Sequence, residues 1–271
     1  AATLGQRLDL QDFVGHLHDS IFLQYHRIGD AYFVFVVDQA GIQFHLKLAS
    51  VKEVEGRFHQ FMLAIERMLG LITKLGVAKV ARYQDSLLAD VNQHLFVLHS
   101  QLLAPVLQIV PKATSLIISP QGLLHYLPFH AFYDGTRYTI EERTISYAPS
   151  ATIFDLCCRP KSRSQEILLC GYDDGRLRSV VTELEQTEQQ LAAYAPAVDS
   201  RITTANLLAQ MPNQRLIHIA AHSSFRSENP MLSSFTLADG RLTLAEIVQL
   251  QLDADLVILS SCETGKGQLQ G

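Results

Sequence analysis

The chain has 271 residues, 48% of them hydrophobic and 18% charged, enough apolar material for a substantial core and too much for a disordered chain. Twenty-two Lys and Arg against 27 Asp and Glu leave a net charge of −5, so no basic stripe neutralises phosphates and nucleic acid is not an expected partner. No apolar run reaches the ~20 residues of a membrane-spanning helix, no signal-peptide pattern opens the chain, and its 4 Cys, without C-x-x-C spacing, fit a reduced, cytoplasmic protein better than a disulfide framework.

Length allows two domains of ~150 residues. In chain order, Ala31–Asp38 and Ile42–Leu48 are β-rich runs joined through Gln39-Ala40-Gly41, the turn chemistry of a hairpin. Phe58, Phe61, Met62, Ile65, Leu69 and Ile72 follow helical spacing, and Gly76 ends that helix. Leu87, Leu88, Val91, Leu95, Leu98 and Leu102 form a second stripe, which Pro105 interrupts or kinks. Ser115–Ser119 is a short buried strand, Leu123–Phe132 a connector, and Thr144–Ser150 a further hairpin element. The basic, Pro-containing stretch 158–165 places the boundary between two halves, 1–163 and 164–271.

Beyond it, apolar runs alternate with helices. Glu166–Gly171, Arg215–Ala221 and Asp255–Ser261 are buried strands, while Glu183–Tyr194, Thr204–Met211 and Thr243–Leu250 are helices, the last opened by a Thr243/Glu246 capping box. This is the pattern of an α/β fold with a mostly parallel sheet and helix-covered faces.

His222 follows the second of these strands and Cys262 follows the third, 40 residues apart. If the strands are parallel neighbours, both side chains emerge beyond the carboxyl ends of the sheet, where open α/β sheets place their ligands. A thiol and an imidazole so placed suit nucleophilic catalysis, and no metal or organic cofactor is required. Asp173 and Asp174 follow the first strand at the same edge and are candidates to line a substrate site. Gly265 belongs to the polar loop Cys262–Gly267, which would let a substrate backbone approach closely, and Glu263 is placed to sense a basic side chain before the scissile bond. A phosphate-receiver module is the rival for the Asp pair, but the third acid and lysine that it needs do not appear at later strand ends. His16 and His18 lack a third metal ligand and belong to a solvated element; His125 and His130 are packing residues, His218 is a core or interface histidine, and Glu183–Glu188 is an exposed acidic face.

The segments Ile217–Phe225 (IHIAAHSSF) and Leu256–Gly267 (LVILSSCETGKG), preceded by SLIISPQGLLHYLPFHAF and YTIEERTISYAPSAT, resemble the CHAT family, caspase-like cysteine peptidases often attached to tetratricopeptide repeats. The resemblance covers about Leu87 to the end. It implies a caspase-like α/β fold whose first half is a pseudo-protease layer containing the hairpin, with His222 as general base and acid and Cys262 as nucleophile. By the same analogy the backbone N–H groups of Ser223 and Cys262 form an oxyanion hole, and the substrate is a peptide or protein. Ser223 stands where relatives usually carry Gly. Nine residues follow Cys262, whereas the family continues with further strands; with Ala1 at the start, the expectation is a processed or truncated large fragment that a C-terminal fragment completes. The alternatives are a CHAT-like signalling scaffold without turnover and a thiol enzyme acting on small esters.

Overall fold

Leu23, Tyr25, Val34, Val36, Leu116 and Ile118 alternate with Phe22, Val37 and Ile117 along their strands, so each strand presents apolar side chains to both faces of a sheet and demands helices on both. The computed structural model describes residues 8–159, 164–175, 179–226 and 228–261, and its contacts divide the chain into two compact units between Cys158 and Arg159.

The N-terminal unit runs α1 (Leu10–Gly15), β1 (Ser20–Ile28), β2 (Ala31–Asp38), β3 (Gly41–Ser50), α2 (Val51–Leu75), α3 (Val77–Val80), α4 (Gln84–Leu102), α5 (Ala104–Ile109), β4 (Ser115–Ser119), α6 (Thr139–Glu142), β5 (Thr144–Tyr147) and α7 (Ala151–Cys158). Its mixed sheet has the order β3-β2-β1-β4-β5. The β2–β3 hairpin is present, and β1 extends it on the other side as a third antiparallel strand. β1 is unreadable by alternation because Gln24, His26 and Arg27 interrupt its apolar run.

The fourteen-residue stretch of α2 that buries Val51, Val54, Phe58, Phe61 and Ala64 packs with α4 residues Val91, Leu95, Leu98 and Leu102 on one face of the sheet. Phe13, Leu17 and Phe154 cover the other. Ser50 accepts the Glu53 N–H and the Glu53 carboxylate returns to the Ser50 N–H, so α2 starts with a reciprocal cap. Pro105 occupies the first turn of α5, where its missing N–H costs nothing.

Three expectations need correction here. Thr144–Ser150 is not a hairpin: β5 pairs parallel to β4, and the chain then turns into α7. His16 is not part of a solvated element, since its Nδ1 lies 3.0 Å from Asp155 Oδ1, a carboxylate that is 1% exposed and that no apolar surrounding would tolerate unpaired. His125 is exposed rather than packed, whereas His130, also exposed, does pack edge-on against the Tyr147 ring, with Nδ1 3.0 Å from its hydroxyl.

The C-terminal unit runs β6 (Ile167–Tyr172), α8 (Val180–Gln190), β7 (Ala197–Asp199), α9 (Thr204–Gln210), β8 (Leu216–Ala221), β9 (Ser223–Ser224), β10 (Ser234–Leu237), β11 (Gly240–Thr243), α10 (Leu244–Ile247) and β12 (Leu256–Ser260). A four-stranded, all-parallel sheet has the order β12-β8-β6-β7, and a small antiparallel sheet the order β11-β10-β9. The Thr243/Glu246 box is present, but α10 spans only Leu244–Ile247 and not the longer Thr243–Leu250. One parallel-sheet face packs Leu168, Cys170, Ile217 and Ile219 with Leu207, Met211 and Leu242; the other packs Leu169 and Ala220 with Val180 and Leu184. Gly171 permits this packing: a Cβ there would sit 2.3 Å from the Ala220 carbonyl oxygen and 2.9 Å from Val180.

Candidate active site

The strand register builds the site. Gly171 of β6 lies beside Ala220 of β8, and Ala220 beside Ser260 of β12, so three parallel strands end level with one another. The residues that follow them, Asp173-Asp174, His222-Ser223 and Ser261, therefore share one rim beyond the carboxyl ends of the sheet.

Of the two acids, Asp174 is the one that approaches the imidazole: its Oδ1 lies 3.2 Å from His222 Nε2, a close ion-pair distance although out of line for a hydrogen bond. Both side chains are partly shielded, 29% and 24% exposed. Asp173 instead accepts the Gly175 N–H at 2.7 Å and closes its own turn. The sequence offered both acids and could not separate them, because strand alternation stops at Tyr172 and the turn beyond decides which carboxylate faces the ring.

The segment after His222 is clamped. Thr236 N–H donates to the His222 carbonyl at 2.8 Å, and Ser223 and Ser224 pair with Phe235 and Ser234 of β10. Ser223 has no left-handed φ, so its Cβ is carried on ordinary extended backbone. The Ser261 hydroxyl donates to the Ser223 hydroxyl, tying the tip of β12 to the residue beside His222. This contact has no signature in the sequence. Cys262, Glu263 and Gly265 lie outside the described residues.

The remaining His and Cys residues have other surroundings. His218 is 7% exposed and its Nε2 meets Glu183 Oε1 at 2.8 Å, so one member of the acidic α8 face turns inward to a buried ring. Cys170 is buried within β6, where desolvation and then the Asp199 charge push its thiol up to about 12. Such a thiol is inert; Cys157 and Cys158 are exposed at the end of α7. Among the described residues no group of three or more His, Cys, Asp or Glu could hold a metal ion, and no helix is long and apolar enough to cross a membrane.

A parallel sheet flanked by helices, with a histidine and an acid at its carboxyl-end rim, is the α/β class in which catalysis at strand ends is usual. Comparison with known families narrows this: the CHAT domain matches residues 93–271, and the chain belongs to that family, a caspase-like peptidase family. Comparison with curated proteins finds no match.

Proposed function

We propose that this chain is a cysteine peptidase domain of caspase-like architecture, in which Cys262 and His222 cleave a peptide bond through a thioester, and in which the N-terminal unit is a pseudo-protease half. The observation that carries this reading is the hydrogen bond between Ser261 and Ser223, because each serine is the immediate chain neighbour of one member of the dyad. With β8 and β12 parallel, adjacent and level, Cys262 is one residue from a contact that reaches the His222 segment.

In the first step the Cys262 thiolate attacks the scissile carbonyl carbon, and the electron pair of the C=O moves onto oxygen. The C–N bond then breaks, the amine leaves with the proton carried by His222, and a thioester remains. Water gives a proton to His222 and attacks the thioester, and the thiolate returns as the acid departs. Asp174, close to Nε2, positions the ring and leaves Nδ1 for proton exchange with sulfur. The Ser223 N–H serves the oxyanion: Thr236 bonds to His222, so alternation along the β9–β10 ladder directs the Ser223 N–H away from β10. Glu263 and Gly265 border the substrate backbone, and Asp173 completes the rim. Ser223 in place of Gly keeps alive the alternative of a scaffold without turnover.

A peptidyl ketone that alkylates activated thiols tests the reading. Labelling of the chain should disappear in Cys262→Ala and fall about 1,000-fold in rate in His222→Ala. Labelling that survives Cys262→Ala would exclude this nucleophile, and a chain that no peptide probe labels would favour the scaffold.

A further inference from the structure

Ser223 also forms part of the wall of a cavity of about 370 Å³ in the C-terminal unit. Ile219, Phe235, Leu244, Ile247, Val257 and Leu259 are among its walls, and among the described residues no Asp, Glu, Lys or Arg lines it. Two of the four serines that line it are engaged: the Ser223 hydroxyl accepts from Ser261, and the Ser233 hydroxyl accepts the Arg226 N–H. The cavity opens beside β12, whose Val257 and Leu259 remain 40% and 46% exposed.

We infer that this cavity is the subsite for the substrate side chain preceding the scissile bond, and that it selects a large apolar residue such as Leu, Met or Phe. The inference rests on the peptidase reading and adds the substrate class. A scissile carbonyl held by the Ser223 N–H lies ~3 Å from that nitrogen. The side chain in question is carried by the carbon bonded to that carbonyl, which brings it within reach of the cavity that Ser223 lines. A volume of this size takes a leucine or phenylalanine side chain, and its apolar lining gives a charged group no partner to replace lost water. Desolvation against this lining disfavours an arginine or an aspartate. Lining by Val257 and Leu259 continues the subsite onto the strand that leads to Cys262, so occupant and nucleophile would be registered by the same element.

Two measurements on the full chain separate this inference from the peptidase reading. Peptides differing only in the residue before the cleaved bond should show kcat/KM about 30-fold higher for Leu than for Ala, with Arg and Asp lower still. The same peptides should bind to the Cys262→Ala chain with the same order of affinity, read by fluorescence anisotropy, whether or not turnover occurs. Val257→Phe, which fills the cavity from its side, should reverse the Leu-to-Ala ratio; its thermal transition checks folding, and the unsubstituted chain supplies the test if it does not fold. Cleavage or binding that prefers Arg, or that ignores the residue at this position, overturns the subsite. Apolar-selective binding without His222-dependent cleavage overturns the peptidase reading and leaves only the cavity's selectivity for an apolar side chain standing.

Discussion

Asp174 and Gly171 show how much a single residue at the end of β6 controls. Asp174→Asn keeps the shape of the rim and removes the charge beside His222 Nε2. The expected result is a fall of about tenfold in kcat with KM little changed, since a positioning group acts on the ring and not on substrate binding; an equal loss in both Asp173→Asn and Asp174→Asn would deny it that role. At Gly171, any side chain collides with backbone of β8, which cannot yield as a flexible side chain would. Gly171→Ala should therefore destabilise by about 3 kcal/mol, read from the shift in the denaturation midpoint. Cys170, sealed in the core, should resist thiol reagents at pH 8 until the protein unfolds, because a thiol pushed up to about 12 is almost wholly protonated there. Titration under native conditions should be the same for the parent chain and for Cys170→Ser.

Helix α2 owes its start to Ser50 and Glu53, and the sequence pattern that locates the stripe does not by itself locate this cap. The side-chain hydrogen bond from Ser50, with that from the Ser50 backbone, lowers the Glu53 carboxyl below its ordinary range. A carboxyl depressed in the folded state contributes stability above its unfolded value and loses it as pH falls through the folded value. The difference in stability between the parent chain and Glu53→Gln should thus be present at neutral pH and vanish in acid, while Ser50→Ala should cost about 1 kcal/mol at neutral pH. The β12 strand presents the opposite situation. Leu256, Val257, Ile258 and Leu259, expected in a buried strand, are instead 37–49% exposed, because among the described residues β12 is an edge strand; it carries no charge among them, and such edges pair with other chains. Sedimentation should show concentration-dependent association of the parent chain that Ile258→Lys reduces; association unchanged by the lysine would place the contact elsewhere.

Each half of the molecule holds its own apolar cores: one pair of clusters uses only residues before Arg159, the other only residues after Cys158. Residues 1–158 expressed alone should consequently unfold in one cooperative thermal transition, and a fragment without such a transition would show that this half depends on the rest of the chain. The helical stripes, the β2–β3 hairpin and the apolar strands of the C-terminal sheet were legible because period 3.6 and period 2 are local properties of the chain. β1 and β5 were not, the first because polar residues share its run, the second because parallel partners are chosen by crossover and not by any turn. For the site, the motifs around His222 and Cys262 and the family that they imply came from the amino-acid sequence alone, since residue types and their spacing are written there. That β6, β8 and β12 end level, that Asp174 rather than Asp173 meets the imidazole, and that Ser261 reaches Ser223 were decided only in three dimensions, because strand register and loop direction arise from contacts between segments far apart in the chain.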